Sequence, residues 1–196
     1  VQGKAATLHG LAMIYANQGE IDQAIALYQQ SLELKEKIGN VQGQAATLHQ
    51  LAILYANQGE IDQAIALFQQ SIEIEEKIGN VQGKAATLHQ LAGIYANQGE
   101  IDQAIALYQQ SLEIKEKIGD VQGKAATLHQ LAGIYANQGD IDQAIALFHK
   151  ALETWNRIGN AQDKANTLWW LGHIANGQGN PEQALIYLQE SFDILQ

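Results

Sequence analysis

The chain has 196 residues, 46% hydrophobic and 16% charged, a composition that builds a packed core and excludes a disordered polymer. Eleven Lys and Arg against 21 Asp and Glu leave a net charge of −10; such a surface repels phosphate backbones, so neither nucleic acid nor an anionic membrane is expected as a partner. Cysteine is absent, which excludes disulfides, zinc–thiolate centres and cysteine nucleophiles and fits a reducing, cytoplasmic setting. No apolar run approaches the roughly 18 to 20 residues of a membrane span. The first residue is Val1, not Met, so the chain reads as an excised or processed piece.

Internal repetition dominates the sequence. The segment Val1–His9 recurs unchanged from Val81 and Val121, and from Val41 with Gln44 in the slot of Lys4. Units 1–40 and 81–120 differ only at positions 10, 13, 34 and 40 of the first. The fifth, 161–196, keeps the pattern but diverges widely. Recent duplication and consensus design both produce such near-identity.

In each unit the spacing predicts two helices. In the first helix Leu8, Leu11, Ala12 and Tyr15 fall on one face, and Asn17-Gln18-Gly19 ends it with a glycine suited to left-handed backbone. Ile21, Ala24, Ile25, Tyr28 and Leu32 form the stripe of the second helix. Its start is clearest at Asn180-Pro181, with Gln183 in capping-box position; Glu20, Glu60, Glu100 and Asp140 fill the same slot elsewhere, and Glu is the weaker cap. Asp22 in the first turn and Lys35 and Lys37 in the last suit the helix dipole. Gly39 closes the second helix, and Asn40 caps the next. Connections this short set neighbouring helices antiparallel.

The pattern Leu8-x2-Leu11-Ala12-x2-Tyr15 followed by Ala24-x3-Tyr28 resembles the tetratricopeptide repeat signature, five times over the whole chain. Leu8 stands where the signature has Trp, Ala12 where it has Gly (restored at Gly172), and Glu36 where it has Pro. Without that proline the second helix can run on to Ile38, which accounts for a period of 40 residues where the family has 34. The resemblance implies an all-α fold, a right-handed α-solenoid of five antiparallel helix pairs over 1–40, 41–80, 81–120, 121–160 and 161–196. These would form one domain over 1–196, similar to the arrays of polarity scaffolds and bacterial signalling proteins. It also implies that first helices line a concave groove, in which an extended or helical partner segment is held.

Six histidines raise the question of a metal. His9, His49, His89 and His129 occupy one equivalent position, but stacked helices lie roughly 10 Å apart. Metal–nitrogen bonds are about 2 Å, so no metal, cofactor or metal-dependent chemistry is expected there. Gly79-x3-Gly83-Lys84 imitates a phosphate loop but is one residue short, has Ala85 for the required hydroxyl and joins two helices. Ser31, Ser71, Ser111 and Ser191 read as packing positions and Glu33–Lys37 as a solvated face. No catalytic constellation recurs, and the chain reads as a non-enzyme.

The groove implied by the resemblance is lined by His49, Gln50 and Asn57, by His89, Gln90, Gly93 and Asn97, and by His129, Gln130, Gly133 and Asn137. It ends in Trp169, Trp170 and His173. Amides offer both donors and acceptors to a peptide backbone; a polar ladder also simply keeps that face soluble. The family's carboxylate clamp needs Lys and Asn where this chain has His9 and Met13, so chaperone-tail recognition is not expected. Gly93 and Gly133 read either as room for a ligand side chain or as drift, a mid-helix glycine costing about 1 kcal/mol. Trp169 and Trp170 read either as an aromatic anchor or as filler beside Ala175, and Trp155 as packing between the fourth and fifth units. The partner is therefore expected to be a protein or peptide. Alternatives are a spacer without a ligand, a sensor arm of a larger enzyme, and an array that associates head to tail through a first unit with no dedicated cap and the apolar Phe192–Leu195.

Overall fold

The computed structural model describes residues 1–196 and contains ten helices. In the first compact unit, Val1–Glu100, these are α1 (Gln2–Asn17), α2 (Ile21–Lys37), α3 (Val41–Asn57), α4 (Ile61–Lys77) and α5 (Val81–Asn97). The second unit, Ile101–Gln196, holds α6 (Ile101–Ile118), α7 (Val121–Gln138), α8 (Ile141–Ile158), α9 (Ala161–Gly177) and α10 (Pro181–Ile194). There is no strand, and no helix is long and apolar enough to cross a membrane. Helix pairs α1–α2, α3–α4, α7–α8 and α9–α10 pack side by side, and α2, α4, α6 and α8 also pack on the first helix of the following repeat.

The ends lie within a residue of the sequence expectation for physical reasons. Gly19 and Gly39 take φ of 82° and 68°, and the turn recurs every 20 residues to Gly179. A side chain there would be strained. The Asn40, Asn80 and Asp120 side chains accept from the N–H of Gly43, Gly83 and Gly123 at 3.0, 3.1 and 2.8 Å, the expected N-caps. Glu20 and Glu60 make no side-chain cap bond, whereas Asp140 accepts from Gln143 and Asn180 from Gln183.

The core of the first unit gathers Ala12, Ala24, Ile25 and Tyr28 against Leu51 and Leu54; Ala132, Ala144, Phe148, Leu171 and Ile174 do the same in the second. Each leucine or isoleucine so buried contributes about 1.5–3 kcal/mol. Alanines at the closest approach let the paired helices meet. The serines pin them: Ser31 donates to the Ala5 carbonyl (2.8 Å), Ser71 to Ala45 (3.0 Å) and Ser191 to Ala165 (2.8 Å), all buried. Leu51 and Leu54 are 2% and 6% exposed, whereas their counterparts Leu11 and Ile14 stand at 41% and 51%.

Candidate functional site

The groove positions do not behave alike. Asn57, Asn97 and Asn137 are exposed at the ends of first helices, Gln90 and Gln130 are exposed, and Gln50 is half-buried. The histidines sit deeper: His9, His49 and His129 set the ring edge against Tyr28, Phe68 and Phe148, with centroids 4.9, 5.6 and 5.2 Å apart. Their Nδ1 atoms face the hydroxyl of the following repeat, Thr47 at 3.2 Å, Thr87 at 2.9 Å and Thr167 at 3.0 Å. Burial holds all three imidazoles below the ordinary histidine range; the Lys35 ammonium adds to this at His9, and Asp163 opposes it at His129. The ladder is therefore half core and half surface.

Beneath the histidines lies a slot that the sequence did not reveal. Lys35, Glu75, Lys115 and Trp155 occupy one equivalent position near the end of the second helix, and all four are buried. This corrects the reading of Glu33–Lys37 as a solvated face: Glu33, Glu36 and Lys37 are exposed, but Lys35 points inward. The signal was present, because residues 24, 28, 31 and 35 continue the stripe at helical spacing, and the fourth repeat places Trp there. Trp155 clusters with Ala125, Leu128 and Ala151, with Leu112, Ala126 and Leu147 packed around them.

The residue in the slot decides where the histidine proton sits. In the first repeat Lys35 Nζ donates to Thr47 Oγ1 (2.7 Å) and to His9 Nδ1 (3.2 Å), while the Thr47 hydroxyl donates to the Gly43 carbonyl (2.9 Å). His9 Nδ1 must then accept, which puts the proton on Nε2. In the second repeat Thr87 gives its proton to Glu75 Oε1 at 3.3 Å. The His49 contact is then a donation from Nδ1–H to the threonine oxygen, leaving Nε2 as an acceptor. Exchanging an ammonium for a carboxylate reverses the tautomer without changing the histidine or the threonine. Burial lowers the Lys35 and Lys115 ammonium groups, opposed at Lys115 by Asp120, and raises the Glu75 carboxyl, opposed by the Thr87 and Ser71 hydroxyls beside it.

A cavity of about 210 Å³ opens over this slot in the first unit, lined by Gln42, Ala46, His49 and Gln50 of α3, by Glu75, and by Asn80, Gly83, Ala86 and Thr87. It brings His49 and Gln50 together with a buried carboxylate. A second cavity of similar volume, bounded by Lys115, Asp120, Lys124, Thr154 and Arg157, contains none of the sequence-predicted residues. In the second unit Trp170 stacks on Phe148, with centroids 5.6 Å apart and planes 22° apart, and turns its edge to Trp169. Trp169 remains 48% exposed and leans on His173 at 4.1 Å. Thus Trp170, half-buried, packs against the core of the second unit, while Trp169 meets solvent. A Cβ on Gly133 would meet Trp170 at 3.9 Å, an ordinary contact.

Comparison with known proteins agrees with this architecture. BtubC (BKLC) from P. vanneervenii superposes with a TM-score of 0.88 at 20% identity, over 98% of this chain and 80% of that one. The nearly identical TPR-like repeats of a Podosopora anserina "putative kinesin light chain" give 0.78 at 22% identity over 100% and 96%. A Rap protein complexed with Competence and Sporulation Factor gives 0.81 at 17% identity; 97% of this chain covers 54% of that one. At these identities the likeness is one of fold. No curated protein matches the sequence. The tetratricopeptide repeat family profile matches residues 3–77, 43–117, 83–135 and 123–196, and with the helix pairs, caps and spacing it makes this chain a member of the tetratricopeptide repeat family.

Proposed function

We propose that the chain is a non-catalytic binding module that holds a protein or peptide segment along its first helices. Tetratricopeptide repeats as a class mediate protein–protein interaction, and the Rap neighbour is a complex with Competence and Sporulation Factor. The observation that carries the reading here is the cavity between α3 and α5, where His49 and Gln50 sit above a buried carboxylate. The further contacts proposed are His89, Gln90, Gly93 and Asn97 in the first unit and, taken separately, His129, Gln130, Gly133, Asn137, Trp169, Trp170 and His173 in the second. With a net charge of −10, nucleic acid and anionic membrane remain outside this reading. A cytoplasmic setting is proposed on the absence of cysteine. The test places a photo-crosslinking residue at Gln50 and, as control, at the exposed Glu33 of α2. Capture of one partner segment from Gln50 alone supports the groove; equal capture from both positions overturns it.

A second reading, head-to-tail self-association, is favoured by one contrast. Leu11 and Ile14 of α1 are open where Leu51 and Leu54 are covered by the preceding repeat, and Phe192 and Leu195 in the last repeat are 57% and 56% exposed. Either a second copy or adjoining sequence of a longer chain would cover both faces. Light scattering across a wide concentration range, with Leu195→Glu as control, reads the first: a mass that does not rise with concentration rejects it.

A further inference from the structure

The carboxylate of Glu75 is the most anomalous group in the chain. The residue is 3% exposed, and its Oε2 has no hydrogen-bond partner. Thr87 serves only Oε1; the Ser71 hydroxyl lies close enough to favour the ionised carboxyl, but its proton goes to the Ala45 carbonyl at 3.0 Å. A buried, half-satisfied carboxylate is costly to a fold unless something donates to it. The cavity lined by His49, Gln50 and Thr87 opens beside it; Gly83, where a Cβ would clash with Asn80 Nδ2 and lie 2.6 Å from Oε1, leaves room for the carboxylate itself at the cavity wall.

The first repeat shows what the same surroundings accept. There an ammonium, Lys35 Nζ, sits against the matching threonine and histidine, 2.7 Å from Thr47 Oγ1 and 3.2 Å from His9 Nδ1. The third repeat repeats this with Lys115 donating to Thr127 at 2.9 Å. The second repeat keeps the threonine and histidine but carries the opposite charge, with His49 Nε2 left as an acceptor.

We propose that this cavity is a subsite for an alkylammonium group, a lysine side chain of the bound segment, which donates to the Glu75 carboxylate with Thr87, His49 and Gln50 around it. The assignment deepens the groove reading and rests on it for the source of the lysine. A basic segment is also what a chain of net charge −10 attracts at long range.

The test uses the full chain and two small probes, Nα-acetyl-lysine amide and its neutral analogue Nα-acetyl-norleucine amide, with the imidazole resonances of His49 as readout and those of His9 as internal reference. The lysine compound should shift His49 saturably and the norleucine compound should not. Glu75→Gln should weaken the binding by at least about tenfold, the loss of a charge-assisted bond. Glu75→Lys, which recreates a slot that already folds in two other repeats, should abolish the shift with helicity intact. Equal shifts from both probes, equal shifts in Glu75→Lys, or no saturable shift up to the solubility of the lysine compound would overturn the subsite. No partner is needed, so the two readings fail separately: a lysine signal without segment capture supports the subsite and removes the groove, and capture without a lysine signal does the reverse.

Discussion

Gly172 and Leu188 are matched across α9 and α10, for a Cβ at position 172 would lie 2.6 Å from Leu188 Cγ. In the first and fourth repeats Ala12 and Ala132 share the core with the flat rings of Tyr28 and Phe148 at the equivalent places. A branched leucine fills the space a planar ring leaves beside the alanine methyl, so the exchange of ring for branch goes with the exchange of Ala for Gly. Gly172→Ala should destabilise the protein, because overpacking costs about 1–3 kcal/mol and alanine recovers only about 1 kcal/mol in helix propensity. Urea unfolding measures it, and adding Leu188→Phe should restore most of the loss.

The serine clamps make a smaller, cleaner prediction. Ser71→Ala removes a buried bond to a carbonyl that belongs to a helix ladder, and should cost about 0.5–1.5 kcal/mol. The fourth repeat already has buried Ala151 in this slot, so the fold tolerates the change. A loss well above this range in urea unfolding would mean that Ser71 does more than pin α4 to α3.

Glu75 gives the pH dependence a definite sign. Its folded pKa is raised by burial, so its stabilising contribution is full below the ordinary carboxyl value and is lost as pH rises through the raised one. Glu75→Gln should therefore be more stable than the parent at neutral pH, with the gap closing in acid below the ordinary value of 4.5. Paired urea titrations at both ends of that window isolate this group, since every other carboxylate is common to the two proteins.

His49 works in the opposite direction. Burial lowers its folded pKa below 6.5, so the stability it carries is present above 6.5 and falls as the pH drops through the lowered value. His49→Phe should flatten that part of the stability profile, and in the parent the imidazole should titrate below the free value by NMR.

Asn97→Ala combined with Asn137→Ala should weaken a bound segment by about 1 to 3 kcal/mol if the two exposed amides become buried hydrogen bonds in the complex. Unchanged affinity in a calorimetric titration would remove both residues from the site.

Sequence carried the helices well and the slot poorly, for one reason. Caps, left-handed turns and the Leu8–Tyr15 and Ile21–Leu32 stripes are local or periodic signals, and Asn40, Gly39 and the ten helices lie where those signals put them. Lys35 and Glu75 belong to residue types found almost always in solvent, and Lys35 also suited the dipole of a helix end, so their place on the stripe was outvoted by their chemistry. First-helix spacing alone places the histidines in one open row. Their burial depends on an aromatic ring of the same repeat and a threonine 38 residues further on, and first-helix spacing holds neither. Trp169 and Trp170 were adjacent in sequence and alike in type, yet only the second reaches Phe148.

The left-handed glycine recurring every 20 residues has an evolutionary consequence. Units joined through the same Gly-Asn or Gly-Asp step can be excised or copied whole, and the two flanks then meet through a junction the chain already uses. A loss or gain of 40 residues is a quiet event for this architecture, while the loss of one residue inside a helix turns every later side chain by about 100° around its axis. Recombination between near-identical gene segments can thus lengthen or shorten the array, carrying a lysine, a glutamate or a tryptophan into the buried slot as a single interchangeable cassette.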